Sequence, residues 1–290
     1  MATLGAILVF TFLWGSIYLL ISIGFSLICG VLRIFHLGYG VAFVLAAYLV
    51  WVFMNELHLD LIPSLVLMFV IQVGIAILVF YKGIFERYLE EEEILLALTV
   101  LVSLVVSHLS NYFYPITAGV SIPTTVVPGA VLIGSVSVPC QMLVAAGLGV
   151  VVAAGFVVLF LTTKVGLVMR AMSQNLRAAR LMGADVSRMY YVAMALSVVP
   201  PTIAMLAIAP FWGIDPFAGV PLFMTAIVIS VIGGLGNLKG SIVASYLIGF
   251  VHVSISFLYI SRFMGIAGLL VALIVLIGRR GGIFAEERLW

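Results

Sequence analysis

The first 30 residues of the chain, MATLGAILVFTFLWGSIYLLISIGFSLICG (1–30), contain no charged side chain. An α-helix needs about 20 consecutive apolar residues to cross the hydrocarbon core of a bilayer, so this stretch predicts a membrane-spanning helix. It has neither a basic segment at its start nor a small-residue cleavage site before a polar region. We therefore interpret it as the first spanning helix and not as a signal peptide that is removed.

The composition of the whole chain leads to the same class of protein. Of the 290 residues, 65% are hydrophobic and 8% are charged, and the mean hydropathy is +1.36. A soluble domain has about 45–50% apolar and about 25% charged residues. The sequence therefore predicts an all-α polytopic membrane protein. Its two cysteines, Cys29 and Cys140, lack metal-type spacing and are expected to pack in apolar surroundings.

Apolar segments recur along the whole sequence, and we treat residues 1–290 as a single transmembrane domain of about eight to ten crossings. Three segments, 38–54, 219–236 and 263–278, are short, which predicts that some of them are half-crossings or glycine-broken helices whose backbone ends are covered by other protein or by water. The connection 113–139 is rich in proline and β-branched residues, which predicts a loop or hairpin. The nine predicted segments are 3–30, 38–54, 61–81, 94–112, 140–161, 190–212, 219–236, 241–261 and 263–278.

Basic residues set the predicted orientation of the chain in the membrane. When the nine spans are threaded in alternation, all 13 lysines and arginines except Arg262 fall on one side. The positive-inside rule assigns that side to the cytoplasm. We therefore predict a multi-pass protein of the cytoplasmic membrane, with the N-terminus outside and the C-terminus inside.

Charged side chains are essentially absent from the interiors of the predicted spans. Ion-coupled carriers and voltage sensors usually hold ionisable groups at mid-membrane, and here the spans offer His108 and His252, which we expect to be packing residues. The sequence contains no Walker glycine loop, nucleophile elbow or HExxH motif. We therefore expect a solute path that is not an enzyme, with no metal site and no cofactor of its own, whose energy source lies in another protein.

A basic stretch, RAMSQNLRAARLMGADVSRM (170–189), lies in the predicted inner loop 162–189. Apolar residues at helical spacing predict a short amphipathic helix, which Gly183 interrupts because a bulky residue there would obstruct a sharp chain reversal. Asp185 is the predicted N-cap of the next span. Such a helix either rests on anionic lipid or docks on a cytoplasmic partner through an apolar ridge and through arginines that pair with acids. The predicted ridge is formed by Met169, Met172, Leu176 and Ala179.

The segment RAARLMGADVSRM (177–189) resembles the coupling loop of bacterial and archaeal ABC importer permeases, in which two alanines precede a glycine. Ala178, Ala179 and Gly183 match that spacing, and Arg177 replaces the usual glutamate. Within that superfamily the loop is most similar to the branched-chain amino acid permeases, and among them to the smaller H-type subunit. The matching residues of this loop are Gly166, Arg170, Ala171, Gln174, Asn175, Ala178, Ala179, Leu181, Met182 and Gly183.

Three further segments carry the same resemblance in the same order along the chain. GVLRIFHLGYGVAFVLAAYL (30–49) is similar to a family segment in which His36 is usually asparagine and Tyr39 is usually histidine or glutamine. VIGGLGNLKGSIVASYLIG (231–249) resembles the glycine-rich segment of the family. GRRGGIFA (278–285) resembles its closing tail, with Arg280 where proline is common.

This resemblance implies the membrane-spanning permease subunit of an ABC importer for a small polar solute, most often a branched-chain or other amino acid. Permeases for urea or short amides are similar in sequence and remain an alternative, as do an ATP-independent carrier or channel and a membrane scaffold. The implied partners are a second homologous permease subunit in a heterodimer, two cytoplasmic ATPases that bind ATP and Mg, an external solute-binding protein and membrane lipids. No nucleic acid is expected to bind.

Two sets of residues are the candidates for function. The expected contacts with the ATPases come from Arg170, Gln174, Arg177, Ala178, Ala179, Arg180, Gly183 and Asp185. The chain has almost no charge to line a path, so hydroxyls, amides, imidazoles and backbone groups exposed at glycines must do so. The glycines are equally compatible with close helix packing alone. The path candidates are His36, Gly38, Tyr39, Gly40, Gly233, Gly234, Gly236 and Asn237, with Gln72 and Ser26 as weaker ones.

Two short motifs also suggest an internal duplication. SLICG (26–30) and SVIGG (230–234) each precede a basic residue and then a small-residue helix that contains a tyrosine. We expect the two sets of path candidates, His36 to Gly40 and Gly233 to Asn237, to occupy comparable positions in this repeat, near the interface with the second permease subunit.

Overall fold

The computed structural model describes residues 2–89, 91–115, 127–134, 136–213, 215–258, 261–279 and 281–284. Those residues form a helical bundle with a single two-stranded sheet. In chain order the elements are α1 (Ala2–Val31), a 3₁₀ turn (Leu37–Gly40), α2 (Val41–Asn55), α3 (Leu61–Ile75), a π-helix (Ala76–Phe85), α4 (Glu86–Tyr88), α5 (Glu92–Phe113), β1 (Ala130–Ile133), β2 (Val136–Pro139), α6 (Cys140–Thr162), α7 (Lys164–Gln174), α8 (Leu176–Leu181), α9 (Val186–Ser197), α10 (Val199–Trp212), α11 (Gly219–Gly233), α12 (Leu238–Leu258), a second 3₁₀ turn (Ser261–Phe263) and α13 (Met264–Gly278).

Within the described residues, eight helical segments are long and apolar enough to cross a membrane, which confirms the polytopic all-α class. Two of the three short predicted segments, Leu37–Asn55 and Ser261–Gly278, reach spanning length because a 3₁₀ turn extends each helix at its start. Gly219–Gly233 remains shorter than a full crossing, as predicted. The other six spans are Leu4–Val31, Leu61–Tyr88, Glu92–Phe113, Cys140–Thr162, Val186–Pro210 and Leu238–Leu258.

Helix α1 is the centre of the bundle. It packs against α6, α9, α10, α11 and α12, and its side chains Leu13, Ile17 and Leu20 are completely or almost completely buried. By contrast, α5 and α13 bury only a narrow stripe and present leucines, isoleucines and valines outwards. Apolar surface of this extent is stable facing lipid or another membrane protein, so the exposed helices form the periphery of the bundle.

Glycines allow the central helices to approach backbone to backbone. A side chain at Gly240 on α12 would overlap the carbonyl of Gly233 at the end of α11. A Cβ atom at Gly236 would lie 2.5 Å from the Cα atom of Gly30 on α1. Small residues at helix crossings are the usual means of close packing in membranes. Close packing therefore accounts for the glycines at these positions, and a role of Gly233 and Gly236 in the path stays a prediction.

The two motifs of the suggested duplication face each other across this crossing. Ser26 Oγ lies 2.8 Å from Ser230 Oγ, and Ser241 Oγ lies 2.5 Å from Ser26 Oγ, all in the buried interior. Hydrogen bonds between hydroxyls satisfy polar groups that would otherwise be costly in a membrane interior. The hydroxyl of Ser26, a weaker path candidate, therefore has hydrogen-bond partners within the core.

One end of the bundle gathers the residues that the threading of nine spans places on the inner side. Arg33, just beyond α1, donates a hydrogen bond to the Ser173 carbonyl at the end of α7. At the same end, the Ile283 N–H donates to the Ile232 carbonyl over 2.8 Å. The relative sidedness of these segments agrees with the threading.

The connection 113–139 contains an antiparallel hairpin of β1 and β2, in the register Val131 to Val138, as predicted for its second half. Residues 116–126 lie outside the described residues. The hairpin exposes Leu132 and leads directly into α6, where the Cys140 N–H donates to the Gly129 carbonyl over 2.9 Å.

Candidate functional site

The inner loop forms two helices where the sequence predicts one. Thr163 caps α7, its Oγ1 accepting from the Gly166 N–H over 3.1 Å. Asn175 then interrupts the helix with extended backbone angles, φ −151° and ψ 102°. Its side-chain oxygen accepts from the Ala178 N–H over 3.0 Å and so caps the start of α8. Asparagine favours such caps because its short side chain competes with the helical backbone for hydrogen bonds.

The predicted apolar ridge faces the protein and not a partner. Met169 and Met172 are 0% and 1% exposed, and Ala179 is also buried. The expectation that this stripe inserts into another protein is therefore wrong, because the helical period identified an apolar face but not which surface covers it. The buried side chains of this stripe pack α7 and α8 against the end of the helical bundle.

A different apolar pair is exposed at the end of α8. Leu181 and Met182 are each 88% exposed. Sequence analysis missed them as a pair because they follow one another directly, and adjacent residues carry no helical period. Arg177 and Arg180 on α8 are exposed as well, whereas Arg170 on α7 is half-buried. We call Arg177, Arg180, Leu181 and Met182 the docking tip.

Gly183 ends α8 in a Schellman motif. The Ala184 N–H donates to the Ala179 carbonyl and the Gly183 N–H to the Arg180 carbonyl, each over 3.0 Å, with Gly183 at φ +86°. A Cβ atom there would meet nothing within 4 Å. The glycine is therefore required by its left-handed backbone and not by the crowding that the sequence suggested.

Asp185 starts the next span as predicted. Its Oδ1 accepts from the Arg188 N–H over 3.0 Å at the first turn of α9. The caps at Asn175 and Gly183 fix the two ends of α8, and this bond fixes the start of α9. Of the other predicted ATPase contacts, Gln174 and Ala178 are exposed beside the docking tip.

The first path segment, His36 to Gly40, is buried. The His36 ring packs edge-on against Phe80 and Phe85, with centroids 4.6 and 5.1 Å away. Burial lowers the pKa of His36 to about 3, so its imidazole is neutral at physiological pH. The Tyr39 hydroxyl donates to the Ile21 carbonyl over 3.2 Å. A Cβ atom at Gly38 would lie 2.6 Å from Phe80, so close packing explains this glycine.

The second path segment forms the tight turn between α11 and α12. Gly234 and Gly236 have φ values of +100° and +78°, which favour glycine. Asn237 Oδ1 accepts from the Gly240 N–H over 3.0 Å and caps α12, while its Nδ2 donates to the Phe284 carbonyl over 3.1 Å. Both path segments thus pack on α1, Tyr39 at Ile21 and Gly236 at Gly30.

A small cavity lies beside the first path segment. Its wall includes His36, Tyr39, Gln72 and Ser197, and its volume of about 20 Å³ suffices for about one water molecule. Gln72 spans the gap between helices: its Nε2 donates to the Ala42 carbonyl over 2.6 Å, and Oε1 accepts from Thr202. The residues that line the cavity carry no formal charge, and in this conformation the cavity is too small for a solute of amino-acid size.

Comparison with known proteins extends over almost the whole chain. Residues 7–278 match the family model described as branched-chain amino acid transport system / permease component. Among solved structures, the chain is similar to a chain of PsaBC from Streptococcus pneumoniae in complex with Fab, with a TM-score of 0.50 and 14% sequence identity. That similarity covers 97% of this chain and 93% of the other, and at this identity it concerns the fold alone. No curated protein matches the sequence.

Proposed function

The chain belongs to the family of branched-chain amino acid transport system permease components, and from this membership we propose that it is the membrane-spanning subunit of an ATP-driven importer. The solute class is a small polar molecule, with branched-chain or other amino acids first. The chain hydrolyses no ATP, and two cytoplasmic ATPases of the ABC type supply the energy. A second homologous permease subunit and an external solute-binding protein complete the assembly.

The observation that carries this proposal is the docking tip. Leu181 and Met182 are exposed beside Arg177 and Arg180, and the caps at Asn175 and Gly183 hold the short helix in place. Exposed apolar side chains flanked by guanidinium groups suit a protein groove with an acidic rim, where apolar anchors carry the affinity and arginines give orientation. Anionic lipid is the competing ligand of this surface, and the experiment below distinguishes the two.

The chemistry of the interior supports a solute without net charge. The cavity beside the first path segment is lined by amide, hydroxyl and neutral imidazole groups. A strong fixed charge would hold a zwitterion or a neutral amide tightly and slow its passage. Urea and short amides fit the same lining and are the alternative solutes to amino acids.

The first test is purification of the complex from its native membrane, followed by reconstitution in proteoliposomes. We expect ATPase subunits to copurify and ATP to drive uptake of radiolabelled leucine when the solute-binding protein is added. Urea is the second probe. A variant with both Leu181→Ser and Met182→Ser should recover less of the ATPases, because it binds them more weakly, while keeping its place in the membrane. Transport that proceeds at full rate without ATP or any ATPase subunit would refute the proposal.

The proposed orientation has its own test. In a variant lacking the natural thiols, Cys29→Ser with Cys140→Ser, a cysteine replaces either Ala2 or Ala285. We expect an impermeant thiol reagent added outside intact cells to modify position 2 and to leave position 285 unmodified, because the distribution of basic residues favours an orientation with the C-terminus inside. The reverse labelling pattern would contradict this orientation.

A further inference from the structure

Arg33 connects the end of α1 to the end of α7. It follows α1 with φ +57°, a left-handed conformation that is uncommon for a residue with a side chain. Its Nη2 donates to the Ser173 carbonyl and to the Gln174 carbonyl, the latter over 3.2 Å. These are the last two residues of α7.

The chemistry of this contact suits arginine in particular. The last carbonyls of a helix have no partner within the helix, and the helix dipole makes this end negative. A planar guanidinium carries several donors in a fixed arrangement and can serve two neighbouring carbonyls, whereas the lysine ammonium acts as a point charge. Both partners of Arg33 are backbone groups, so the contact responds to the position of the α7 end and not to the identity of its side chains.

The elements on the two sides of this contact are those with proposed functions. On one side, α7 ends at Gln174, and Asn175 leads directly into α8 and the docking tip. On the other side, the chain runs from Arg33 to His36, which is 4% exposed and packed on Phe80 and Phe85, and then into the 3₁₀ turn of the first path segment. A displacement of α7 therefore reaches the first path segment through Arg33 and two further residues, Ile34 and Phe35.

We propose that Arg33 is a positioning residue that transmits movement of α7 and α8 to the first path segment. This inference rests on the proposed function, because the ATPases supply the movement. In the absence of the contact, α8 still docks, but the segment from Arg33 to Gly40 no longer follows it. Loss of Arg33 therefore separates ATP hydrolysis from rearrangement of the membrane interior.

The test measures rearrangement directly and needs no knowledge of the solute. A single cysteine at Ile34, in the variant Cys29→Ser with Cys140→Ser, is labelled with a small maleimide in the purified complex, with and without a non-hydrolysable ATP analogue. Ile34 is half-buried next to Arg33, so its labelling rate is sensitive to movement of this segment. Arg33→Gln and Arg33→Lys are compared with Arg87→Gln, a charge-matched control at an exposed residue of α4.

We expect the nucleotide to change the labelling rate in the parent and in R87Q, and the change to shrink about fivefold or more in R33Q. R33K should retain an intermediate response because it keeps the charge but not the fixed arrangement of donors. Copurification of the ATPases is measured in every variant. An R33Q complex that responds like the parent overturns the proposal, and so does loss of the ATPases in both Arg33 variants, which would indicate a role in assembly only. A parent without copurifying ATPases refutes the proposed function instead, and this result is distinguishable from the others.

Discussion

Gly240 and Gly183 are both essential to the structure, but for opposite reasons. Gly240 lies at the crossing of α11 and α12, where any side chain would overlap the Gly233 carbonyl. Gly183 lies at the exposed end of α8, where a side chain would meet nothing, yet the backbone is held at φ +86°. Gly240 is needed because no side chain fits at the crossing, whereas Gly183 is needed because its backbone is left-handed. The same residue type therefore marks a rigid crossing in one region and a locally held turn in the other.

The two regions also differ in how firmly the surrounding structure holds them. The crossing of α1, α11 and α12 is buried and held by many simultaneous contacts, so it moves as a unit. In the inner loop, residues 162–189, the buried side chains of Met169 and Met172 hold α7, whereas α8 buries only Ala179 and is held at its ends by local hydrogen bonds at Asn175 and Gly183. Elements with few buried contacts and exposed hydrogen bonds open most readily. A short helix held mainly at its two ends, on a stiff bundle, would be suited to receive movement from the partner proposed above.

The largest effect is expected at the crossing. Gly240→Val forces the backbones of α11 and α12 apart, and overpacking of this kind costs about 3 kcal/mol. We expect loss of the folded protein in detergent, measured as loss of the monodisperse peak in size-exclusion chromatography. Gly147→Val is the matched control, because Gly147 on α6 has no atom near its Cβ position, and it should elute as the natural protein does. Equal behaviour of the two variants would contradict the packing account.

The next effect in size concerns binding and not folding. Replacing both Leu181 and Met182 by serine should weaken association with the ATPases by about 2 kcal/mol, roughly thirtyfold, since exposed anchors of an interface carry such energies. The thermal midpoint of the isolated subunit should remain unchanged because both side chains are almost fully exposed. A lowered thermal midpoint would mean that Leu181 and Met182 stabilise the folded subunit. The proposed difference between a region that serves folding and a region that serves binding would then be wrong.

Gly183→Leu is expected to destabilise the turn after α8 by about 1–2 kcal/mol, the penalty of a left-handed backbone for a residue with a side chain. The protein should remain folded in the membrane, with the turn opened and ATP hydrolysis uncoupled from uptake. Gly183→Asn should retain more coupling, since asparagine tolerates this conformation. The measurement is uptake per ATP hydrolysed in proteoliposomes. Normal coupling in the leucine variant would show that the turn geometry is unimportant.

The smallest effect is expected at the cap of α8. Asn175→Ala removes the bond to the Ala178 N–H and should destabilise the short helix by about 1 kcal/mol. Hydrogen exchange should then accelerate at the amides of α8 and stay constant in α12. Asn175→Asp retains a cap and serves as the control. Faster exchange throughout the bundle would indicate that α8 is not an independent unit.

Much of this architecture could be predicted from the sequence because spanning helices need long apolar runs. The run 1–30, the short segment at 219–236 and a loop or hairpin within 113–139 all follow from local composition. The cap at Asp185 was also predictable, since it depends on its immediate neighbours. Each of these features depends only on residues that are close to one another in the sequence.

Other features depend on contacts that no local pattern encodes. The break at Asn175 divides the predicted helix into α7 and α8. Met169 is buried because the rest of the bundle covers its side chain. The contact of Arg33 joins residues 140 positions apart. The ten-residue π-helix, Ala76–Phe85, has no sequence signal that distinguishes it from an ordinary helix. For the path candidates, burial and close packing explain the glycines, and their role in transport remains a proposal.

The central claim, that the docking tip binds a cytoplasmic ATPase, is tested most directly by site-specific crosslinking in native membranes. A photoreactive amino acid replaces Leu181 in one variant and Leu132, exposed on the hairpin at the other end of the subunit, in the second. After irradiation, the crosslinked partners are identified by mass spectrometry. We predict that position 181 captures a subunit with a Walker ATP-binding motif and that position 132 does not. Capture of lipid alone at position 181, or capture of the ATPase at position 132, would contradict the account.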